Sequence, residues 1–264
     1  MIDFSKIKRI FVFGCSFTQY CWPTWANMLQ KEMPEAEFYN FGLCGSGNIS
    51  MICKISEMFY KMKFNENDLV AVMWTTYCRE DRYVSKENGW MMVGNIFTQQ
   101  TYDKSFIEKF ADPKGYMIRD LGLIVTATNW LRSQTFQTLL MPSVPFDYQQ
   151  DEKDPNIKII LDNYSSILST YPKSMLELEL DFNFEWGHIY YSDKDKKNQT
   201  KDYHPSPVRY WNYLKKVGLP MTPLTYKYAV DSTARLIKCE FRHEIEETFR
   251  EENTINHNSF RMLF

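Results

Sequence analysis

The apolar residues come in short solid blocks, separated by segments in which they recur every three or four positions. Residues 9–14 (RIFVFG) form an apolar run closed by glycine and predict a buried strand. Residues 37–42 (EFYNFG) and 68–74 (DLVAVMW) predict two more, and 136–146 (FQTLLMPSVPF) a fourth that ends at prolines. Between them, 23–33 (PTWANMLQKEM) predicts a helix with Pro23 near its first turn. Residues 48–63 place Ile49, Ile52, Ile55, Phe59 and Met62 on one helical face. This alternation of nearly continuous apolar strands with helices predicts an α/β fold: a parallel sheet covered on both faces.

The later chain is less regular. Residues 75–118 are polar and aromatic, predict short helices around 95–110, and read as an insertion above the sheet after the third strand. Helices are predicted over 120–134, 155–171 and 206–218, the last with Ser206 as N-cap, Pro207 in the first turn and Gly218 at its end. Residues 192–202 (SDKDKKNQTKD) read as a solvated loop. Beyond Pro220 and Pro223, apolar positions from Tyr226 to Phe249 predict one long amphipathic helix over 225–249. The chain therefore divides into an α/β domain over 1–218 and a C-terminal helical extension over 219–264. The extension either packs back on the domain or joins two copies of the chain as a homo-oligomer.

Composition narrows the function classes. A net charge of -2 over 264 residues offers no basic surface for nucleic acid. No apolar run reaches the roughly 20 residues of a membrane span, and the N-terminal stretch lacks a signal-peptide cleavage pattern, so a cytoplasmic protein with no membrane partner is expected. Cysteines 15, 21, 44, 53, 78 and 239 show no metal-ligand spacing, which predicts reduced thiols and no bound metal.

Chemistry is expected beyond the carboxyl ends of the strands, where parallel sheets bind ligands. The first strand runs into Gly14-Cys15-Ser16, which offers two nucleophile types. Ser16 alone would be an ordinary turn or cap residue, and its hydroxyl needs a base to act. His204 is one of four histidines and follows Asp202 by two residues. Pro205 favours an extended His204, which would put both side chains on one side. Residues 40–48 (NFGLCGSGN) place three glycines where backbone N–H groups could meet an oxyanion. Arg79 and Arg82 at the third strand's exit are solvated arginines or a clamp for an anionic substrate group. Trp22, Trp25 and Trp74 are core residues by default, with sugar stacking as the other use.

Taken together, the GCSFT of residues 14–18, the NFGLCG of 40–45 and the HP of 204–205 resemble the first, second and fifth blocks of the SGNH/GDSL hydrolases. The resemblance covers about the first 218 residues. It implies a flavodoxin-like three-layer α/β/α sandwich and a serine esterase or acyl hydrolase, including a carbohydrate O-deacetylase, acting on a small-molecule or carbohydrate ester without a cofactor. Ser16 would be the nucleophile, His204 the general base and Asp202 its orienting carboxylate. The backbone N–H groups of Ser16 and Gly45 would belong to the oxyanion hole. Three positions depart from the family pattern. Cys15 replaces the aspartate before the serine. Trp74-Thr75-Thr76-Tyr77 replaces the third block, so the missing oxyanion asparagine is sought at Asn48, with Thr76 second. Asp202 stands two residues before the histidine rather than three, leaving Asp193 and Asp195 as fallbacks. Two rival readings stay open: a catalytically reduced scaffold used for binding or assembly, and an enzyme with Cys15 as nucleophile.

Overall fold

The computed structural model describes residues 2–86, 89–98, 101–148, 154–180, 187–193 and 195–254. Its first half follows the sequence pattern: β1 (Arg9–Phe13), α1 (Trp25–Glu32), β2 (Glu37–Asn40), α2 (Asn48–Met62) and β3 (Asp68–Trp74). The insertion carries a hairpin, β4 (Arg82–Val84) and β5 (Gly89–Met91), and a short helix α3 (Lys104–Phe110). The long helix α4 (Pro113–Arg132) leads to β6 (Gln137–Pro142), followed by α5 (Pro155–Leu168) and α6 (Met175–Glu179). A second hairpin, β7 (His188–Tyr191) and β8 (Gln199–Asp202), precedes α7 (Pro207–Lys216). The extension forms α8 (Pro223–Ile237), α9 (Arg242–Thr248) and α10 (Arg250–Thr254), and its residues 255–264 lie outside the described residues.

The central sheet has strand order β2-β1-β3-β6 and is parallel throughout. Alternate residues of each strand face opposite sides. Ile10 and Val12, with Leu69, Ala71 and Met73, join a core beneath α1 and α7. Phe11 and Phe13, with Val70, Val72 and Trp74, join the opposite core beneath α2 and α4. The result is the three-layer α/β/α sandwich. Trp25 and Trp74 are buried in its two cores and Trp22 in a cluster with the C-terminal extension, which removes all three from any sugar-stacking surface. All six cysteines are free thiols, and Cys44 and Cys53 are the exposed ones.

Three local expectations are corrected. The helix expected to begin at 120 begins at Pro113, because Asp112 caps it by accepting from the Lys114 N–H at 2.9 Å. The solvated loop expected over 192–202 ends in strand β8, whose Asp202 lies opposite His188 of β7. The single helix expected over 225–249 breaks at 238–241. There the chain turns extended, and the Glu240 carbonyl accepts the Tyr191 N–H at 2.7 Å. The Glu244 carboxylate then caps the next helix through the N–H groups of Glu240 and Phe241 (2.8 and 3.1 Å). Leu236, Cys239, Ile245 and Phe249 bury themselves against Cys21, Trp22 and Tyr190, so the extension packs on its own domain.

Lys54 on α2 is only 3% exposed. Burial lowers its amine to about 8, with the Asp81 charge acting in the opposite direction. The fold thus disfavours the charged amine. Its cost is complete below that value and disappears as pH rises through the free-lysine value of 10.5, where both states are neutral. Lys54→Met is expected to raise the thermal midpoint at pH 7 by roughly 2–6 °C, with the advantage shrinking above pH 8. Calorimetry at pH 7 and pH 10 checks this, and a lower midpoint at both would show that the amine is a needed partner.

Candidate active site

In a sheet ordered β2-β1-β3-β6, the chain reverses direction of growth between β1 and β3, and a crevice opens at their carboxyl ends. Gly14 sits at that point. A Cβ there would lie 1.9 Å from Thr18 Oγ1 and 3.2 Å from the Met73 carbonyl, so only glycine lets β1 turn so close to β3. The chain then makes a tight turn in which the Cys15 carbonyl accepts the Thr18 N–H at 2.9 Å. Cys15 points back into the core, 1% exposed, and its sulfur accepts the Thr75 hydroxyl at 3.3 Å. Ser16 is half-buried at the turn, and its hydroxyl makes no hydrogen bond with a described residue.

The glycine loop is stitched to this turn. Leu43 N–H donates to the Gly14 carbonyl at 3.0 Å. Asn40 spans the two loops: its Nδ2 donates to the Thr18 carbonyl (3.2 Å), and its Oδ1 accepts the Gly42 N–H (2.8 Å). Gly45 adopts φ +79°, a conformation that favours glycine. The backbone N–H groups of Ser16 and Gly45 have no acceptor among the described residues, which leaves both available to a ligand.

His204 enters from β8. Its backbone N–H and its Nδ1 both meet Asp202 Oδ1, at 2.9 and 2.6 Å. The i, i+2 spacing works here through a local side-chain turn closed on the backbone. Asp202 is buried at 6% exposure, and its other oxygen accepts the hydroxyls of Tyr20 and Tyr190, the latter at 3.3 Å. Burial works to raise this carboxyl. The hydrogen bond from His204, the imidazole's charge and the Tyr20 hydroxyl outweigh it and hold it below the usual carboxylate value. The imidazole lies face to face on the Tyr20 ring, with centroids 3.7 Å apart, and 5.5 Å from the Phe17 ring. Thus His204 rests on the same loop that carries Ser16. Trp22 Nε1 donates to the Pro205 carbonyl at 2.9 Å and fixes the segment behind it. With its Nδ1 on Asp202, His204 has Nε2 as the remaining nitrogen, on a side chain that is 22% exposed.

The other sequence candidates have different partners. Asn48 is 1% exposed and spends both amide hydrogens, one on the Thr75 carbonyl (3.2 Å) and one on Asp120 Oδ2 (2.9 Å). Its oxygen accepts the Thr75 N–H at 3.0 Å. Asn48 is therefore a clamp on the β3 exit, with no hydrogen left for an oxyanion. Thr76 accepts Arg79 Nε at 3.1 Å, and Arg79 Nη1 donates to the Ser46 carbonyl at 3.0 Å, tying the glycine loop to the third loop. Arg82 is paired with Glu80 at 3.0 Å and covers the Phe106 ring, in a groove of about 400 Å³ that also includes Phe110 and Tyr116. Asp193 accepts from Lys197 and Asn198, and Asp195 faces Lys197, so neither is engaged with His204.

Tyr20 and Tyr190 have no role in the sequence reading, and Asn40 enters it only as the first residue of the NFGLCG block. Tyr20 lies two residues beyond the GCSFT block and four from Ser16, but nothing in the sequence alone sets its hydroxyl against a carboxylate 182 positions away. Among the described residues no group of histidine, cysteine and carboxylate side chains has metal-binding geometry, and no helix is long and apolar enough to cross a membrane.

No protein-family model matches the chain, and no curated protein does. Among solved structures, the fold is similar to a lipolytic protein of the G-D-S-L family from Veillonella parvula. The identity is 13%, covering 79% of this chain and 94% of that one, with a TM-score of 0.45. It is also similar to a catalytic mutant of an acetylxylan esterase from Geobacillus stearothermophilus, at 14% identity, 81% and 96% coverage and a TM-score of 0.37. A putative G-D-S-L lipolytic protein from Desulfitobacterium hafniense matches at 13% identity, 87% and 99% coverage and a TM-score of 0.38. At these values the likeness is one of chain path, and the chemistry rests on the residues above.

Asn48→Ala is expected to cost about 2–3 kcal/mol, because it leaves the buried Thr75 backbone and the Asp120 carboxylate without partners. Urea denaturation measures this. A change below about 0.5 kcal/mol would mean that the clamp contributes little to stability.

Proposed function

We propose that this chain is a serine ester hydrolase. The observation that carries the reading is the buried Asp202–His204 pair, seated through Tyr20 and Phe17 on the loop that presents Ser16. In this reading His204 Nε2 takes the Ser16 proton as Oγ attacks an ester carbonyl. Asp202 holds the tautomer with hydrogen on Nδ1 and stabilises the imidazolium that forms. The free N–H groups of Ser16 and Gly45 receive the oxyanion. Collapse of the tetrahedral species expels the alcohol, which takes the proton back from His204. Water, deprotonated by the same imidazole, then releases the acid and restores Ser16. Catalytic hydrogen bonds are often long in unliganded sites, so an unbonded Ser16 hydroxyl is compatible with this role.

Cys15 is a poor rival nucleophile, since its sulfur is buried and already accepts a hydrogen bond. A carbohydrate acetyl ester is our working substrate, with no cofactor required.

Fluorophosphonate labelling followed by peptide mapping tests the assignment. We expect modification at Ser16, with hydrolysis of p-nitrophenyl acetate reduced at least about 10³-fold by Ser16→Ala and by His204→Ala. Asp202→Asn, which disturbs the tautomer, should cost about 10²-fold or more. Ester turnover that survives Ser16→Ala would remove the reading, and absence of both labelling and turnover would favour a non-catalytic scaffold.

A further inference from the structure

The hydrolytic reading uses nothing beyond α7, yet a side chain of the C-terminal extension reaches Tyr190, whose hydroxyl donates to Asp202. The Glu240–Tyr191 backbone bond and the burial of Ile245 and Phe249 seat α9 beside β7. From that seat Arg242 Nη1 donates to the Tyr190 hydroxyl at 3.2 Å, while its Nε donates to Glu246 at 2.8 Å. Its guanidinium carbon lies 5.7 Å from the Tyr20 ring centroid and 6.0 Å from that of Tyr190.

Direction matters here. A guanidinium has five hydrogens and no acceptor, so Tyr190 can only accept from it. The single Tyr190 hydrogen is then free to point at Asp202 Oδ2, 3.3 Å away. The same oxygen takes the Tyr20 hydroxyl, and the Tyr20 ring supports the His204 imidazole. Arg242 thus orders one of the two hydroxyl dipoles on Asp202 and packs against the ring under His204. The extension has a second link to this segment. Thr233 of α8 accepts the Val208 N–H at 3.0 Å, at the first turn of α7, where the Ser206 side chain makes no capping bond.

We infer that Arg242 is a positioning residue for the Asp202–His204 pair, so that the C-terminal extension is a working part of the site. The inference rests on the hydrolytic reading for its kinetic consequence only. The competing role for Arg242 is a staple that merely holds α9 to the domain.

The experiment uses the full chain and the variants Arg242→Met, Arg242→Lys, Tyr190→Phe and the double variant Arg242→Met/Tyr190→Phe. The first readout needs no turnover. It is the low-field proton resonance of His204 Nδ1–H, assigned by its loss in His204→Gln. We expect it in the wild type, and displaced or lost to a similar degree in Arg242→Met and Tyr190→Phe. The second readout is kinetic, on p-nitrophenyl acetate. Each single variant should lower kcat about 5–10-fold with KM changed less than about twofold. The double variant should be no worse than either single one, because both cut the same relay. Arg242→Lys should recover part of the loss.

A lowered melting temperature in Arg242→Met with resonance and kcat at wild-type values makes Arg242 a staple and overturns the inference, as does a wild type without the resonance. Tyr190→Phe, which removes only a hydroxyl, decides the matter if Arg242→Met does not fold. Survival of activity in Ser16→Ala would instead defeat the hydrolytic reading and leave the resonance to decide the coupling.

Discussion

A carboxylate taken out of water is costly unless its lone pairs are filled, and Asp202 fills them from both ends of the chain. His204 supplies two hydrogens to one oxygen; Tyr20 and Tyr190 supply theirs to the other. Tyr20 comes from the first strand's exit, Tyr190 from the β7–β8 hairpin, and His204 from the approach to α7. Side chains as distant in sequence as Tyr20 and Asp202, 182 positions apart, therefore converge only when the domain is complete. The pair is a consequence of the tertiary fold, although its two members are nearly adjacent in sequence. That adjacency still has a use: the His204 N–H closes a short turn on Asp202, so the imidazole and its carboxylate move as one unit.

The sheet supplies the other constraint. Growth to one side of β1 and then to the other opens a crevice where β1 and β3 end, and close approach there requires Gly14. The loop after β3 has no glycine to relax it. It is held by Asn48, whose amide closes on the Thr75 backbone and on Asp120, while Arg119 pairs with Asp120 at 2.7 Å. A further carboxylate, Asp81, accepts the N–H groups of Gly47 and Ser50 at the start of α2. Buried acids and amides thus fix the geometry of the third loop.

Much of this was legible in the sequence. Short solid apolar blocks such as RIFVF and DLVAVMW, rich in β-branched and aromatic residues, fit strands buried on both faces, as in the parallel sheet they form. The turn that carries Ser16 and the Asp202–His204 pairing were legible because small residues after a strand and a histidine before Pro-Ser-Pro are local signals. What was not legible depends on distant partners. Asn48 looked like a free amide beside glycines, but Asp120, 72 residues on, takes its hydrogen. Gln199-Thr200-Lys201-Asp202 looked solvated because a two-stranded ribbon has one polar face; only its pairing with β7 makes it a strand. The periodicity of 225–249 ran straight through residues 238–241, because an extended bridge of so few residues leaves the apolar spacing on either side intact.

These observations bear on how an oxyanion would be held. With Asn48 committed to the β3 exit, the donors at the crevice with no acceptor among the described residues include the backbone N–H groups of Ser16 and Gly45, and the Thr76 hydroxyl, which accepts from Arg79, keeps its own hydrogen. Backbone donors are positioned by the loops that carry them, so their placement depends on how those loops are tied. The ties are specific: Asn40 bridges the Ser16 turn to the glycine loop, and Arg79 joins Ser46 to Thr76. Losing one oxyanion donor typically costs about 10²–10³ in rate. On the hydrolytic reading, the site relies on how firmly these loops are tied. That places the catalytic burden on the same feature that holds Asp202: side chains from distant segments closing on short loops, so that each loop has one conformation available when substrate arrives.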